Sequence, residues 1–462
     1  MRYDAIVIGS GQAGPGIAST FAGEGQRVAL IEGDKLGGTC LNYGCRPTKT
    51  LRASAQIAHR ARRAAEYGVQ VGEVTVNFAQ VMARKNRIIG EMQGSFRERI
   101  THVDGVDVYR AYGQFVGTRD GVHQVQVGDQ VLEAERVYIN VGARAFIPPI
   151  QGIEDVPYIT NVEILDLPEL PRHLLIIGGG YIGLEFGQMF RRFGSEVTIV
   201  ESNPHLLSNE DEDVSEAVEA LFRDEDIALY TNHKAVATST QADGSIQLTI
   251  QSNESGEQRT LTGSHLLLAV GRTPNSDTLN VGAVGLETDK RGYIPVNGKF
   301  ETNVPGIWAV GDVNGRGAFT HTSYQDYEIL IANHKGEDRT VDNRIMAYAV
   351  FIDPPLGRVG MNEREARDSG RNVLMAVYQM ADVSRARLDS DTVGLIKILV
   401  DADTEEIIGA LSFGLHGDEF IQIISNFMHT GASYKVMQNA LPVHPTVAEF
   451  LPTILGALKP LQ

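Results

Sequence analysis

The sequence predicts an α/β protein because one pattern of secondary structure occurs twice in its 462 residues. Each copy reads as a buried strand, a Gly-x-Gly-x-x-Gly turn, a helix, a second strand and a glutamate. Gly9 and Glu32 mark the first copy, and Gly178 and Glu201 stand at the same separation in the second. The repeat predicts two Rossmann-like domains, and the change to β segments mixed with helices beyond residue 341 predicts a C-terminal α+β domain.

The glycines of both turns predict that each copy binds a dinucleotide. The first glycine permits the tight turn, the second lets a pyrophosphate approach the backbone, and the third allows helix and strand to pack closely. An acid at the end of the second strand accepts hydrogen bonds from ribose hydroxyls and repels a 2′-phosphate, so Glu201 favours NADH over NADPH. The residues concerned are Gly9, Gly11, Gly14 and Glu32 in the first copy, and Gly178, Gly180, Gly183 and Glu201 in the second.

The remaining elements follow from hydrophobic period and from turn residues. Helices are predicted over 51–66, 78–100 and 418–429. Strands are predicted over 106–115, 123–127, 136–141, 266–270, 306–311, 346–352 and 395–400. Proline-rich stretches at 147–150 and 168–171 are predicted to connect the first nucleotide domain to the second.

Charge and composition exclude several classes of partner. A net charge of −17 argues against nucleic acid and anionic membrane, since both need a basic surface. No apolar stretch approaches 18 residues, the length that a membrane-spanning helix needs. The first strand begins near Tyr3, which leaves no room for a signal peptide, so the predicted location is the cytoplasm.

The only two cysteines of the chain, Cys40 and Cys45, lie close together shortly after the first glycine turn. Two thiols in a chain of this length build no disulfide framework, so a close pair favours redox chemistry. Two structural cysteines, or half of a zinc site, are the alternatives. The neighbouring Leu, Asn, Tyr, Arg and Pro side chains supply no metal ligands, and no metal site is predicted.

These motifs together resemble the class I pyridine nucleotide-disulfide oxidoreductases, which include dihydrolipoamide dehydrogenase, glutathione reductase and the catalytic core of mercuric reductase. The resemblance covers nearly the whole chain and includes the two glycine turns. Its further motifs are the loop at 37–49, the Ala-Val-Gly-Arg-Thr-Pro-Asn run at 269–275, Gly311-Asp312 and the His-Pro-Thr-x-x-Glu run at 444–449.

The resemblance implies FAD, tightly but non-covalently bound, on the first turn and NAD(P)H on the second. It implies that Cys45 is the thiolate next to the flavin and that Cys40 attacks the substrate. A helix N-terminus at this loop would stabilise a thiolate, which is the effective nucleophile.

The resemblance also implies a homodimer whose active site is shared across the interface. His444 and Glu449 match the dyad that the family supplies from the partner subunit, and Lys49 and Glu185 match its ion pair beside the flavin. Tyr181 matches an aromatic lid over the nicotinamide, although a packing tyrosine is an equally good interpretation.

The remaining sites and the domain limits are carried over from the same resemblance. The FAD residues are Gly9, Gly11, Gly14, Glu32, Gly38, Thr39, Lys49, Gly113, Gly142 and Asp312. The NAD residues are Gly178, Gly180, Tyr181, Gly183, Glu201 and Gly271. The predicted domains are 1–150 with 271–340 for FAD, 151–270 for NAD(H) and 341–462 for dimerisation.

Two departures from the family pattern bear on the substrate. The chain has no second cysteine pair such as mercuric reductases carry at the C-terminus, and Arg46 follows the second cysteine where dihydrolipoamide dehydrogenases have an apolar residue. Arg46, Arg52 and Arg358 could bind carboxylates of a substrate, or they could offset flavin phosphates or neighbouring acids. The segment 319–326 also differs from the family's usual Ala-His segment beside the flavin.

The predicted function is an NADH-preferring FAD enzyme that reduces a small disulfide through Cys40 and Cys45, or oxidises a dithiol in reverse. The alternatives are a reductase of an inorganic oxidant or metal ion, a flavoprotein diaphorase or redox sensor, and the dihydrolipoyl subunit of a larger complex.

Overall fold

The computed structural model describes residues 1–461 of the chain. These residues form two compact units, each made of several chain segments. The first unit comprises Met1–Thr50, Gln80–Phe146 and Gly271–Arg344, and the second comprises Leu51–Ala79, Ile147–Val270 and the chain from Ile345 onward. Within the described range, none of the helices has the length and apolar character needed to cross a membrane.

A parallel five-stranded sheet forms the centre of the first unit. Its three central strands are buried along their length because layers of side chains cover both faces, as in other parallel sheets. In spatial order the five strands are Ile307–Ala309, Val137–Ile139, Ala5–Ile8, Val28–Ile31 and Val106–Tyr109.

Antiparallel strands and helices complete this unit. The strands Gly113–Arg119, Val122–Val127 and Gln130–Ala134 form one sheet, and Ala143–Ala145 pairs with Arg272–Pro274. The helices are Gly14–Gly23, Gly38–Asn42, Thr320–His334 and most of Phe78–Thr101.

The second unit repeats the parallel sheet and adds an antiparallel one. Its parallel strands are, in spatial order, Ala228–Tyr230, Glu196–Val200, His173–Ile177, His265–Leu268 and Tyr158–Ile159. A three-stranded sheet contains His233–Thr240, Ile246–Ser252 and Gln258–Gly263. The antiparallel six-stranded sheet has the order Ala347–Val350, Leu356–Gly360, Ile407–Phe413, Leu395–Asp401, Val373–Gln379 and Lys459–Pro460.

Seven helices lie wholly within the described part of the second unit. They are Tyr181–Phe193, Glu212–Asp224, Glu363–Asp368, Ser384–Leu388, Gly417–Met428, Tyr434–Gln438 and Leu451–Gly456. The repeat of two parallel sheets followed by an antiparallel α+β region confirms the predicted fold class.

Two predicted boundaries were wrong. The helix predicted from residue 51 begins at Cys45 and ends at Arg62. Pro47 is compatible with this start because the first turn of a helix needs no hydrogen bond from its backbone nitrogen. The single strand predicted over 106–115 divides after Tyr109, and Gly113 begins a strand of a different sheet.

Candidate active site

The first glycine turn is fixed by contacts within the protein. Gly9 has φ +106°, and a Cβ there would lie 2.3 Å from the carbonyl oxygen of Asn140. A Cβ on Gly14 would lie 2.1 Å from the carbonyl oxygen of Gly9, so helix and strand pack too closely for a side chain. A Cβ on Gly38 would lie 2.7 Å from Cα of Gly11. The loop that carries the cysteines therefore packs directly on the glycine turn.

Glu32, at the end of the second strand, stabilises this turn by hydrogen bonds. Its carboxylate accepts hydrogen bonds from the backbone nitrogen and the hydroxyl of Ser10, at 3.0 and 2.6 Å, and from the backbone nitrogen of Asp34 at 2.9 Å. The Ser10 hydroxyl accepts in turn from the backbone nitrogen of Gly37 at 2.9 Å. The contact with a ribose, predicted for Glu32, stays a prediction.

In the second glycine turn, packing within the protein requires two of the three glycines but not the middle one. Gly178 has φ +111°, and a Cβ there would lie 2.4 Å from the carbonyl oxygen of Ala269. A Cβ on Gly183 would lie 2.1 Å from the carbonyl oxygen of Gly178. In contrast, no atom lies within 4 Å of a Cβ built on Gly180. Packing does not require a glycine at 180, whereas the close approach of a pyrophosphate would.

Glu201 is buried at the end of the corresponding strand. It accepts from the backbone nitrogen of Gly179 at 2.7 Å, and from the backbone and side-chain nitrogens of Asn203 at 2.8 and 2.7 Å. The carboxylate is thus held beside the turn, where its charge acts on any ligand bound there. Tyr181 is the first residue of the helix that follows.

The two cysteines are not joined in a disulfide and lie on two successive helices. Cys40 lies within Gly38–Asn42, and Cys45 is the first residue of Cys45–Arg62. The side-chain nitrogen of Asn42 donates to the carbonyl oxygens of Gly38, at 2.8 Å, and of Leu36, at 3.0 Å, which fixes the loop. The position of Cys45 places its sulfur at the positive end of a helix of 18 residues.

Thr320 is a neighbour of both thiols that sequence reasoning missed. Its Oγ1 lies 3.2 Å from Sγ of Cys45, at the beginning of Thr320–His334. The hydrogen bond with Cys45 raises the pKa of the Cys40 thiol, and burial raises it further, whereas Thr320 and the charge of Arg46 act in the opposite direction. The Cys40 thiol therefore stays protonated to a higher pH than an ordinary cysteine. The unusual sequence at 319–326 was the signal that could have identified Thr320.

His444 and Glu449 form the predicted pair. Nδ1 of His444 lies 2.7 Å from Oε2 of Glu449, and the hydroxyl of Ser384 donates to Oε1 of Glu449 at 3.0 Å. Burial raises the pKa of Glu449, but the hydrogen bonds from His444 and Ser384 outweigh it and hold the pKa below its usual value. The imidazole is 78% exposed, and its neighbours Leu441 and Val443 are exposed as well. Ser384 has no motif in the sequence that could have identified it.

Lys49 belongs to the first unit and Glu185 to the second. Lys49 lies one helical turn after Cys45. Glu185 is buried on Tyr181–Phe193 and accepts a hydrogen bond from the backbone nitrogen of Phe351 at 2.9 Å. The pairing of Lys49 with Glu185 stays a prediction.

The surroundings of Asp312 fit a polar ligand group, as the predicted flavin ribityl chain would supply. Burial raises the pKa of Asp312, and the charge of Arg272 opposes this rise. Nε of Arg272 is buried, lies 3.6 Å from Asp312 and has no hydrogen-bond partner. Gly142 and Gly271 both have positive φ, and a Cβ on either would meet no atom within 4 Å. Gly113 is buried at the start of its strand.

The arginines considered as substrate ligands differ in their partners. Arg358 is buried and pairs with Glu210 at 2.6 Å and Asp211 at 2.9 Å. Arg52 donates to the carbonyl oxygen of Ile352 at 2.9 Å and lies 3.7 Å from Asp353. Both therefore offset acids of their own unit, which is the second of the two interpretations given above. Arg46 is exposed.

One acidic cluster has the spacing of metal ligands but holds a lysine. Asp211, Asp213 and Glu363 lie close to one another. Nζ of the buried Lys397 is 3.3 Å from Asp211 and 2.7 Å from Asp213, and it also contacts Glu363. The ammonium group occupies the position that a cation would take.

Comparisons with known proteins define the class and then the family. The profile described as pyridine nucleotide-disulphide oxidoreductase matches residues 3–326, and the profile of its dimerisation domain matches residues 346–454. The probable pyridine nucleotide-disulfide oxidoreductase RclA of Escherichia coli strain K12 is 34% identical, over 99% of this chain and 100% of the relative. The dihydrolipoyl dehydrogenase of a Synechocystis strain is 30% identical, over 97% of each chain. A mercuric reductase of Lysinibacillus sphaericus is 30% identical, over 97% of this chain and 81% of the relative.

Solved structures agree with the sequence relatives. The structure described as the Cu(II) complex of HOCl-induced flavoprotein disulfide reductase RclA from Escherichia coli has a TM-score of 0.88 and 34% identity, and 99% of each chain is covered. The fold and the site thus define a flavoprotein disulfide oxidoreductase that uses NAD(P)H. The chain belongs to the pyridine nucleotide-disulphide oxidoreductase family and carries that family's dimerisation domain.

Proposed function

We propose that this enzyme takes electrons from NADH through FAD to the thiol pair Cys40 and Cys45, and reduces a small disulfide, or oxidises a small dithiol in reverse. The observation that carries the proposal is the thiol pair itself. Cys45 lies at a helix N-terminus, which favours its thiolate, and it raises the pKa of the neighbouring Cys40. FAD would supply hydride acceptance and two-electron transfer at this site.

The thiols have different roles in this proposal. Cys40 attacks a sulfur of the substrate, and Cys45 then attacks Cys40 and releases the second half of the substrate as a thiol. Cys45 is held by Thr320 and by the helix N-terminus as the stable thiolate. Lys49 lies one helical turn after Cys45, on the same face of the helix.

We propose that His444 carries protons to and from Cys40 of the partner chain in a homodimer. The hydrogen bond between His444 and Glu449 orients the imidazole for this role. Exposure of the imidazole and of Leu441 and Val443 supports their burial against a second chain. The domain limits predicted above and a cytoplasmic location belong to the same proposal.

An anaerobic titration with NADH tests the thiol pathway. Reduction should produce a long-wavelength absorbance band from the Cys45 thiolate beside the flavin. A panel of disulfides should then reoxidise the protein, and the fastest would identify the substrate. Direct bleaching of the flavin without the band would instead favour a diaphorase or sensor. Co-purification with an acyltransferase assembly would favour a dihydrolipoyl subunit.

The preference for NADH rests on Glu201. Its buried carboxylate lies beside Gly179 and would repel a 2′-phosphate. Glu201→Arg should therefore lower the ratio of kcat/KM for NADH to that for NADPH by roughly ten-fold or more. An unchanged ratio would refute this role. The thiol-to-flavin band at saturating nucleotide serves as the control, since it should be retained.

A second candidate is the reduction of an inorganic oxidant or a metal ion at the same thiols. The observation that favours it is the related structure, described as a Cu(II) complex of an HOCl-induced reductase. Thiolates are suitable ligands for copper. The reoxidation panel should therefore include Cu(II) and hypochlorite, with Cys40→Ser as the control for reaction at the flavin alone.

A further inference from the structure

Arg46 is a cation beside the reactive thiols that the proposed pathway does not use. It follows Cys45 directly, in the first turn of Cys45–Arg62, and its side chain is exposed. Nη1 lies 3.6 Å from Sδ of Met92, an uncharged and weak acceptor. Within residues 1–461, no carboxylate forms an ion pair with Arg46. Arg52 and Arg358, in contrast, are held by acids.

The position of this charge is unfavourable to the helix. Positive charge in the first turn opposes the helix dipole, and this turn contains no acidic residue to offset it. A neutral residue at 46 would relieve this conflict. Residues that are unfavourable to their own secondary structure, with no compensating contact, are expected mainly at functional sites.

We propose that Arg46 selects negatively charged oxidants, so that the preferred substrates are small disulfides that bear carboxylates. The inference rests on the proposed function and names its substrate class. The guanidinium group presents donor N–H groups that suit a carboxylate. Its charge also acts on the Cys40 thiol, which performs the attack.

The reaction balances without a further reactant. The Cys40 thiolate attacks one sulfur of the disulfide, a new S–S bond forms and the first half leaves as a thiolate. The Cys45 thiolate then attacks Cys40, which releases the second half. The substrate gains two electrons, NADH supplies them through the flavin, and the thiolate products take up two protons from solvent or His444. Carboxylates on the substrate remain unchanged and serve only for attraction to Arg46.

Three disulfides with the same two-methylene spacer distinguish the effect of substrate charge from that of disulfide reactivity. They are 3,3′-dithiodipropionate, bis(2-hydroxyethyl) disulfide and cystamine, which place a carboxylate, a hydroxyl or an ammonium two carbons from sulfur. We expect the wild-type holoenzyme to prefer them in that order. Arg46→Gln should lower the ratio of kcat/KM for dithiodipropionate to that for cystamine by roughly ten-fold at low ionic strength. Arg46→Lys should retain most of the ratio.

Arg60→Gln is the matched control. It removes the same charge from an exposed arginine of the same helix, 14 residues further along. That separation is about 21 Å of helix, so this variant is also compared at physiological salt, where the screening length is about 8 Å. The ratio should stay at the wild-type value in this variant. Added salt should compress the wild-type ratio and leave the Arg46→Gln ratio nearly constant.

Alkylation distinguishes failure of this inference from failure of the proposed function. Iodoacetate and iodoacetamide differ by one negative charge, and both alkylate the reduced thiols without disulfide turnover. Arg46→Gln should lower the rate ratio of iodoacetate to iodoacetamide. If no disulfide is reduced but the ratio of alkylation rates falls in Arg46→Gln, selection of anions by Arg46 is supported and disulfide reduction is refuted. If both ratios are unchanged, or if all substrates slow by one common factor, selection by Arg46 is refuted.

Discussion

The loop that carries Cys40 and Cys45, here called the dithiol loop, is held in place by residues of its own chain. In the C-terminal dyad of His444 and Glu449, by contrast, the imidazole is largely exposed. Cys40 and Cys45 lie on a loop that is packed on the first glycine turn, held by Asn42 and contacted by Thr320. His444 contacts Glu449 but exposes 78% of its side chain. The thiol pair is thus largely assembled within one unit, whereas the imidazole is presented at a surface.

This difference indicates a division of labour. Electron transfer needs fixed distances between thiols and flavin, and a loop packed on the nucleotide turn supplies them. Proton transfer needs a base that reaches substrate sulfur from another direction. In the proposed homodimer, a surface imidazole flanked by exposed apolar residues would suit that task, because the second chain would cover it.

Removal of the attacking thiol should have the largest effect. Cys40→Ser should lower kcat for disulfide reduction by roughly 10⁴-fold, because a hydroxyl is a poor nucleophile towards a disulfide. NADH-dependent reduction of a quinone or dye by the flavin should survive, and this activity serves as the control for folding and cofactor content. Unchanged disulfide turnover would show that the thiol pair is not on the pathway.

Loss of the imidazole should have the next largest effect. His444→Gln should lower kcat/KM for disulfide reduction by roughly 10²- to 10⁴-fold, the usual contribution of general acid–base catalysis. The anaerobic thiolate band should form normally, because the thiols themselves are intact.

A mixed dimer tests whether the dyad acts across the interface. One chain would carry Cys40→Ser and the other His444→Gln, so that one of the two shared sites contains both native residues. Activity of about half the wild-type value would support sharing. Activity no higher than that of the two mutant homodimers would mean that the dyad acts on the thiols of its own chain. The proposed difference between the dithiol loop and the dyad would then be refuted.

The sequence predicted the fold class and both functional pairs because each leaves a local signal. Glycine turns and the cysteine spacing lie in short stretches whose chemistry can be read directly, whereas the His-Pro-Thr-x-x-Glu run was identified by its resemblance to a family motif. Thr320 and Ser384 were missed because they are distant in sequence from the groups they contact, and only tertiary packing brings them together. The two interpretations of Arg52 and Arg358 stayed open for the same reason, since their carboxylate partners are also distant in sequence.

The hydroxyl of Thr320 should tune the thiols rather than perform the reaction. Thr320→Val keeps the shape but removes the hydrogen bond to Cys45. Because Thr320 lowers the pKa of the Cys40 thiol and contacts Cys45, its loss should raise the pH at which the Cys40 thiol ionises. Thiolate absorbance followed against pH measures this shift. Thr320→Ser, which keeps the hydroxyl, should titrate like the wild type, and an equal shift in both variants would point to packing alone.

Removal of the hydroxyl of Ser384, which contacts the dyad, should have the smallest effect. Ser384 donates to Oε1 of Glu449, and this bond helps to hold the pKa of the carboxyl below its usual value. Ser384→Ala should lower kcat/KM roughly two- to ten-fold. The pKa of Glu449 should also rise, so the carboxylate is protonated at higher pH and the acidic limb of the pH profile moves upward. A loss of activity that is equal at every pH would mean that Ser384 supports only the local fold. In that case the dyad, unlike the dithiol loop, has no hydroxyl that tunes its charge.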